Sequence, residues 1–302
     1  MSLHVIVGAG SIGSAAARIL ADDGEQVRIV SRRGLGPERP GIERVAADAT
    51  DAARMRELAR GAAALYNCAN PLYHRWQTDW PPIADALLSA AEHTGAVLVT
   101  TSNLYGYGPV TAPMTEDMPL AATSRKGQVR ARMWQDALAA HRAGRVRVTE
   151  ARGSDYLGPR ADSMFGTQVA PAVLAGRPAR VPAPLDVPHS YTYTFDMART
   201  LVTIARDKRA WGQPWHVPSS EPLTVRELAV ELARVAGVAT PRLRQVPTWL
   251  VRAVGLFAPV IREFDEVRYQ FERPFVLDSS RAKETFGLLP TDLDVVLASV
   301  RP

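Results

Sequence analysis

Cysteine is almost missing from this chain. Its 302 residues include one, Cys68, so no intramolecular disulfide can form. Lysine is nearly as scarce: Lys126, Lys208 and Lys283 are three among 36 basic residues, and arginine carries the net charge of +5. Those basic residues are spread along the chain without a run or aromatic interleaving, so no nucleic-acid partner is expected. No apolar run reaches the ~18–20 residues that cross a bilayer, so no membrane partner is expected. Met1 leads into the strand-like run Leu3–Val7 with no basic n-region, and a cytoplasmic location is the expectation. The six histidines (His4, His74, His93, His141, His189, His216) show no metal-ligand spacing, so no metal is expected. There is no G-x-S-x-G elbow, Walker loop, internal repeat or low-complexity linker.

What the chain does have is alternation. Short apolar runs (Leu3–Val7, Gln26–Ser31, Glu43–Ala46, Ala64–Cys68, Ala96–Thr100, Val146–Ala151) alternate with helix-period segments near Ile12–Asp22, Asp51–Arg60, Pro81–His93 and Lys126–Arg142. That order predicts an α/β protein with a doubly wound parallel sheet. Pro81 and Pro82 suit a first helical turn, where a missing N–H is harmless. After Gly153 proline becomes dense and the alternation loosens, although Thr224 and Glu227 read as a capping box for a helix through Ala236. The expected layout is a dinucleotide-binding domain over 1–160 and a smaller substrate-binding lobe over 161–302. Segments near Trp215–Val217 are expected to return to the main sheet.

Gly8, Gly10 and Gly13, in the run GAGSIG with Ser11 and Ile12, follow a strand and open a helix. In a Rossmann fold these glycines allow a tight turn, backbone approach to a pyrophosphate, and close helix–strand packing. At the end of the second strand, where an NAD enzyme usually carries a carboxylate for the ribose 2′-OH, the chain has Ser31, Arg32 and Arg33. Two guanidiniums without a carboxylate suit a 2′-phosphate, so the expected cofactor is NADP(H).

Further motifs follow in order: AADATD, NCANP, TTSNLYG, RGSDYLGPR and the tail LDSSRAKETFGLLPT. With GAGSIG they resemble the extended short-chain dehydrogenase/reductases of the NAD-dependent epimerase/dehydratase family, nearly end to end. The resemblance assigns Asp48 to the adenine, and Cys68, Ala69 and Asn70 to the loop beside the adenosine and nicotinamide riboses. It makes Thr101 the catalytic hydroxyl and aligns Arg152–Arg160 with the family's R-x-x-N-x-Y-G-P segment. The family's catalytic pair is Tyr-x-x-x-Lys, in which lysine holds the ribose and lowers the phenol's pKa. Here Lys126 is in place, but the residue four before it is Ala122. Tyr73, Tyr105, Tyr156, Tyr191 and Tyr193 are the substitute phenols considered, with Tyr105 ahead because of its proximity to Thr101. Trp76, Tyr105, Asp155, Tyr156 and Tyr191 are the candidate substrate contacts, with core packing the competing role for Trp76. Replacing Lys126 with Met is expected to weaken cofactor binding while leaving stability almost unchanged.

The leading functional expectation is an NADP(H)-dependent oxidoreductase acting on a C=O, C–OH or polarised C=C or C=N group of a small molecule. An epimerase or dehydratase that uses bound cofactor transiently ranks second. No stretch resembles the basic segment with which family members clamp a sugar-nucleotide diphosphate. A non-enzymatic NADPH sensor or partner-binding protein ranks third, and the resemblance allows a homodimer.

Overall fold

The computed structural model describes residues 1–255, 263 and 265–300. The chain divides into two compact units, each assembled from three stretches of the sequence. The first comprises Met1–Asn103, Gln128–Arg152 and Met197–Trp215; the second comprises Leu104–Gly127, Gly153–Asp196 and His216–Pro302.

The first unit is built on β1 (Leu3–Val7), α1 (Ser11–Asp22), β2 (Gln26–Ser31), β3 (Ile42–Ala46), α2 (Ala52–Leu58), β4 (Ala62–Asn67), α3 (Trp76–Thr94), β5 (Val97–Asn103), α4 (Arg125–Arg142) and β6 (Arg147–Gly153). With β10 (Pro214–His216) they form a seven-stranded sheet in the order β10-β6-β5-β4-β1-β2-β3. The ladders joining β3, β2, β1, β4 and β5 are all parallel. Val5, Ile6, Ile29, Val30, Leu65 and Val99 are wholly buried, as strands covered on both faces require. The strand order reverses between β1 and β4, so the loops leaving these two strands flank the crevice where such sheets bind ligands. The expected return of a late segment to the sheet is observed as β10.

One helix starts earlier than its prolines suggest. α3 begins at Trp76, which places Pro81 and Pro82 inside it rather than in its first turn. Trp76 and Trp80, at i and i+4, are 5% and 0% exposed, and burying this pair holds the additional turn. The carbonyls that lose their N–H partners belong to Gln77 and Thr78, both exposed, where water can satisfy them.

The second unit holds β7 (Asp155–Leu157), α5 (Ala170–Leu174), β8 (Ala179–Val181), β9 (Tyr191–Tyr193), α6 (Val225–Ala236) and β11 (Leu243–Gln245). β7 pairs with β9 and β8 with β11, both in parallel. Tyr156, Tyr191 and Tyr193 therefore lie on strands that the sequence pattern does not show; three-residue strands are too short for their alternation to appear. Phe165, Val181, Leu228 and Leu232 anchor one core, and Tyr107, Met114, Phe275 and Leu277 another. The capping box forms as read: the Thr224 hydroxyl accepts from the Glu227 N–H, and the Glu227 carboxylate accepts from the Thr224 N–H. No described helix is long and apolar enough to cross a membrane.

Candidate functional site

The glycine turn after β1 is shaped by what its neighbours leave room for. A Cβ on Gly8, whose φ is +112°, would stand 2.2 Å from the Cys68 carbonyl oxygen. One on Gly13 would stand 2.0 Å from the Gly8 carbonyl oxygen. Both positions are closed by backbone, so only glycine fits. Gly10 differs: nothing lies within 4 Å of where its Cβ would be. It is the N-cap of α1, with no side-chain cap and no acid in the first turn, so the helix's leading N–H groups and positive end are open to an anion. Close packing at Gly8 and Gly13 with open space at Gly10 is the fit that a dinucleotide pyrophosphate needs.

At the end of β2 the Ser31 hydroxyl closes a turn, accepting from the Leu35 N–H at 2.7 Å. Arg32 and Arg33 are exposed, and no described carboxylate lies within salt-bridge reach of either. The Asp48 carboxyl accepts from the Thr50 N–H and hydroxyl, both at 2.9 Å. Those bonds, with Arg32 nearby, hold its pKa below the usual carboxylate range.

β4 and β5 bring Cys68 and Thr101 together, with the Thr101 hydroxyl 3.4 Å from the Cys68 sulfur. Burial pushes the Cys68 thiol up to about 11, so it is an inert wall rather than a nucleophile. Ala69 donates to the Asn67 side chain at 3.3 Å, and Asn70 is exposed beyond it. Arg130, absent from the sequence expectations, donates to the Thr101 carbonyl at 3.3 Å. Its guanidinium lies 4.1 Å from the centre of the Trp80 ring and 4.7 Å from that of Trp76. Trp76 is thus a packing residue with its indole N–H on the Pro71 carbonyl, which corrects its assignment to substrate.

In the second unit Lys126 is 1% exposed, not a surface helix charge. Its ammonium pairs with Glu263 and, at 2.9 Å, with Glu266; the Glu266 carboxylate also accepts from the Lys126 backbone N–H. The expectation that Lys126→Met leaves stability unchanged is therefore corrected, because the change strands two carboxylates against a buried methionine. Ala122 donates its N–H to the Gly106 carbonyl, and Ser124 caps α4 by accepting from the Gly127 N–H. Tyr105 opens a short helical turn and is half-buried; its carbonyl accepts from the Tyr269 hydroxyl at 3.5 Å.

Asp155 and Tyr191 are register partners on β7 and β9. Burial raises the Asp155 carboxyl to about 7, and burial, then Asp155 itself, pushes the Tyr191 phenol strongly upward. Tyr191 is 1% exposed and its hydroxyl has no described hydrogen-bond partner. Beside it His189 stacks on Phe271 and Phe275, with ring centroids 4.9 and 5.4 Å away. Burial lowers its pKa to about 4, so this imidazole is neutral near pH 7.

Residues 4–217 match the model of the NAD dependent epimerase/dehydratase family. The chain belongs to this family. Solved structures covering nearly the whole chain share its fold. UDP-glucose 4-epimerase of Thermotoga maritima, with UDP-glucose, is 18% identical over 99% of this chain and 97% of its own, at a TM-score of 0.81. UDP-glucuronic acid 4-epimerase of Bacillus cereus, with UDP-glucuronic acid and NAD, gives 16%, 98%, 97% and 0.79. The dTDP-glucose 4,6-dehydratase DesIV of Streptomyces venezuelae, with NAD and TYD bound, gives 20%, 99%, 96% and 0.78. No curated protein sequence matches.

Glu263, Glu266 and Tyr269 had no place among the expected site residues. They lie more than 130 residues from Lys126, in a segment that carries no glycine fingerprint or spacing rule. Arg130 was hidden for another reason: in a chain with 33 arginines, one more on a helix carries no signal.

Proposed function

We propose that this chain binds NADP(H) in preference to NAD(H) and uses it to oxidise or reduce a carbon centre of a small organic substrate. The observation that carries the reading is the pairing of an open Gly10 cradle with exposed Arg32 and Arg33 where a carboxylate is missing. Gly10 and the start of α1 hold the pyrophosphate, and Asp48 faces the adenine. Arg32 and Arg33 pair with the 2′-phosphate, while Cys68, Ala69 and Asn70 line the ribose side. When bound, the nicotinamide supplies a ring carbon that gives or takes a hydride. Thr101 hydrogen-bonds the reacting oxygen or nitrogen, and Lys126 contributes a fixed ammonium. Asp155 and Tyr156 contribute polar contacts for the substrate; Tyr191, 1% exposed, is too deeply buried for the substrate contact expected of it.

A bidentate arginine–phosphate contact is worth on the order of 1.5–3 kcal/mol, which makes NADPH at least tenfold tighter than NADH. Fluorescence titration of both nucleotides against wild type and Arg32→Ala tests this. Arg32→Ala is expected to erase most of the difference, and equal affinities in wild type would sink the preference. Family membership favours a second reading, an epimerase or dehydratase that returns the hydride to the same substrate. The two separate on one measurement: an oxidoreductase changes absorbance at 340 nm in proportion to product, whereas an epimerase makes product with no net change.

A further inference from the structure

We infer that Tyr269 supplies the proton-exchanging phenol that α4 lacks at position 122. The inference rests on the dinucleotide-enzyme reading and adds to it the group that moves the proton. Three groups converge where a Cβ on Gly127 would sit: the Tyr105 carbonyl oxygen at 2.4 Å, the Ala122 methyl at 2.6 Å and the Ser124 hydroxyl at 2.9 Å. The Tyr269 hydroxyl bonds two of the three, donating to the Tyr105 carbonyl at 3.5 Å and pairing with the Ser124 side chain. A phenol from a distant segment thus ends beside the backbone from which the family's own tyrosine would project. Ala122 and Gly127 are small enough to let it approach.

The surroundings suit an acid that waits in its protonated form. Burial is the main cause holding the Tyr269 phenol well above its usual range; Tyr105 and Glu266 add to it, and the Ser124 bond opposes. The charged groups here are Lys126, Glu263 and Glu266, and the two carboxylates counter the lysine that elsewhere in the family lowers the phenol's pKa. Two other phenols in this unit are differently employed. Tyr107 is 2% exposed with its hydroxyl 2.7 Å from His216 Nε2, and Tyr191 is sealed beside Asp155. Tyr269 packs its ring edge-on to Phe275, 6.1 Å between centroids, and stays half-buried.

In the reducing direction a substrate carbonyl carbon gains a hydride from the reduced dinucleotide, and its π pair moves onto oxygen. The phenolic O–H of Tyr269 breaks, a new O–H forms on the substrate, and water reprotonates the phenolate. In the oxidising direction the same proton returns by the reverse path.

Two measurements on the full-length protein test this. The first places 3-fluorotyrosine at 269 and follows its ¹⁹F resonance. Adding NADP⁺ and, separately, making Glu266→Gln are each expected to shift it; NADP⁺ binding that leaves the resonance unmoved overturns the inference. The second compares NADPH oxidation with 9,10-phenanthrenequinone, diacetyl and a 4-keto sugar nucleotide as probes. Tyr269→Phe should lower turnover by ~10²–10⁴-fold, with NADPH affinity within about twofold of wild type. Full activity in Tyr269→Phe, or a larger loss in Tyr105→Phe, overturns it. Failure of wild type to bind either nucleotide overturns the dinucleotide reading itself, a result distinct from all the others.

Discussion

The glycine turn after β1 and the polar cluster at the start of α4 prepare for ligands in opposite ways. The turn uses backbone: Gly8 and Gly13 are packed against carbonyls, Gly10 is left open, and the arginines beyond β2 stand in solvent. The α4 cluster uses side chains that neutralise one another: a buried lysine, two carboxylates and a phenol gathered from residues 105–126 and 263–269. Backbone geometry needs particular residues at particular short spacings. Side-chain clusters need only that the right groups meet, from anywhere in the chain.

The comparison breaks most sharply at the glycines. Gly13→Ala forces a methyl to 2.0 Å from a carbonyl oxygen, with no flexible side chain to give way. It is expected to cost about 3 kcal/mol or more and to abolish nucleotide binding. Gly10→Ala meets nothing within 4 Å, so its cost stays within about 1 kcal/mol, that of a weaker N-cap. Its effect falls instead on nucleotide affinity. Thermal melts and NADPH titrations of the two variants check this, and equal destabilisation would refute the division between packing glycines and the open one.

The α4 cluster should respond next most strongly. Lys126→Met leaves Glu263 and Glu266, each about one-fifth exposed, without their counter-charge. Breaking a buried pair costs ~3–5 kcal/mol, and partial solvation of these carboxylates reduces that to about 2–3 kcal/mol. Adding Glu263→Gln and Glu266→Gln should restore much of the loss, as urea denaturation would show. If the single variant melts like wild type, Lys126 is not buried as described.

Asp155 offers a pH test within the second unit. Burial disfavours the anion and pushes its carboxyl from the ordinary 3.8 up to about 7. A raised acid pKa means the folded state binds the proton more tightly. Its stabilising contribution is complete below about pH 4, is lost as pH rises towards 7, and is gone above it. Asp155→Asn should therefore be more stable than wild type at pH 8, by up to about 4 kcal/mol before the residue's partial exposure is discounted, and lose the advantage near pH 4. Melting curves across that range would show the crossing; parallel curves would mean the carboxyl is not shielded.

How much of this could be read from the sequence follows from the same contrast. The succession of strands and helices in the first half, the glycine turn, the carboxylate-free end of β2 and the capping box at Thr224 each depend on residues within a few positions of one another. All appear as written, apart from shifts of a few residues at element ends. The start of α3 was misplaced because tryptophan burial outweighed the proline signal, and the strands at Tyr156 and Tyr191 were missed because they are three residues long. Glu263, Glu266 and Tyr269 lay beyond reach for a plainer reason. Only tertiary packing brings them to Lys126 and Tyr105.

The smallest expected effect concerns Arg130, which joins the two strategies by holding a backbone group with a buried side chain. Its guanidinium lies over Trp80 at 4.1 Å and Trp76 at 4.7 Å and donates to the carbonyl of Thr101, the residue whose hydroxyl is to meet the substrate. Arg130→Lys keeps the charge but loses the planar face that stacks on both indoles and the fork that reaches the carbonyl. Cation–π contacts contribute about 0.5–2 kcal/mol, more when desolvated, so a loss near 1 kcal/mol and a melting shift of about 2–4 °C are expected. Tryptophan emission should change as a polarisable plate is replaced by a compact ammonium. Nucleotide affinity should change little, since no cofactor contact is assigned to Arg130, while turnover falls because Thr101 is less firmly held. Unaltered fluorescence and melting would show that the stack contributes nothing. Unaltered turnover alongside a lowered melting temperature would confine Arg130 to packing and remove it from the positioning of Thr101.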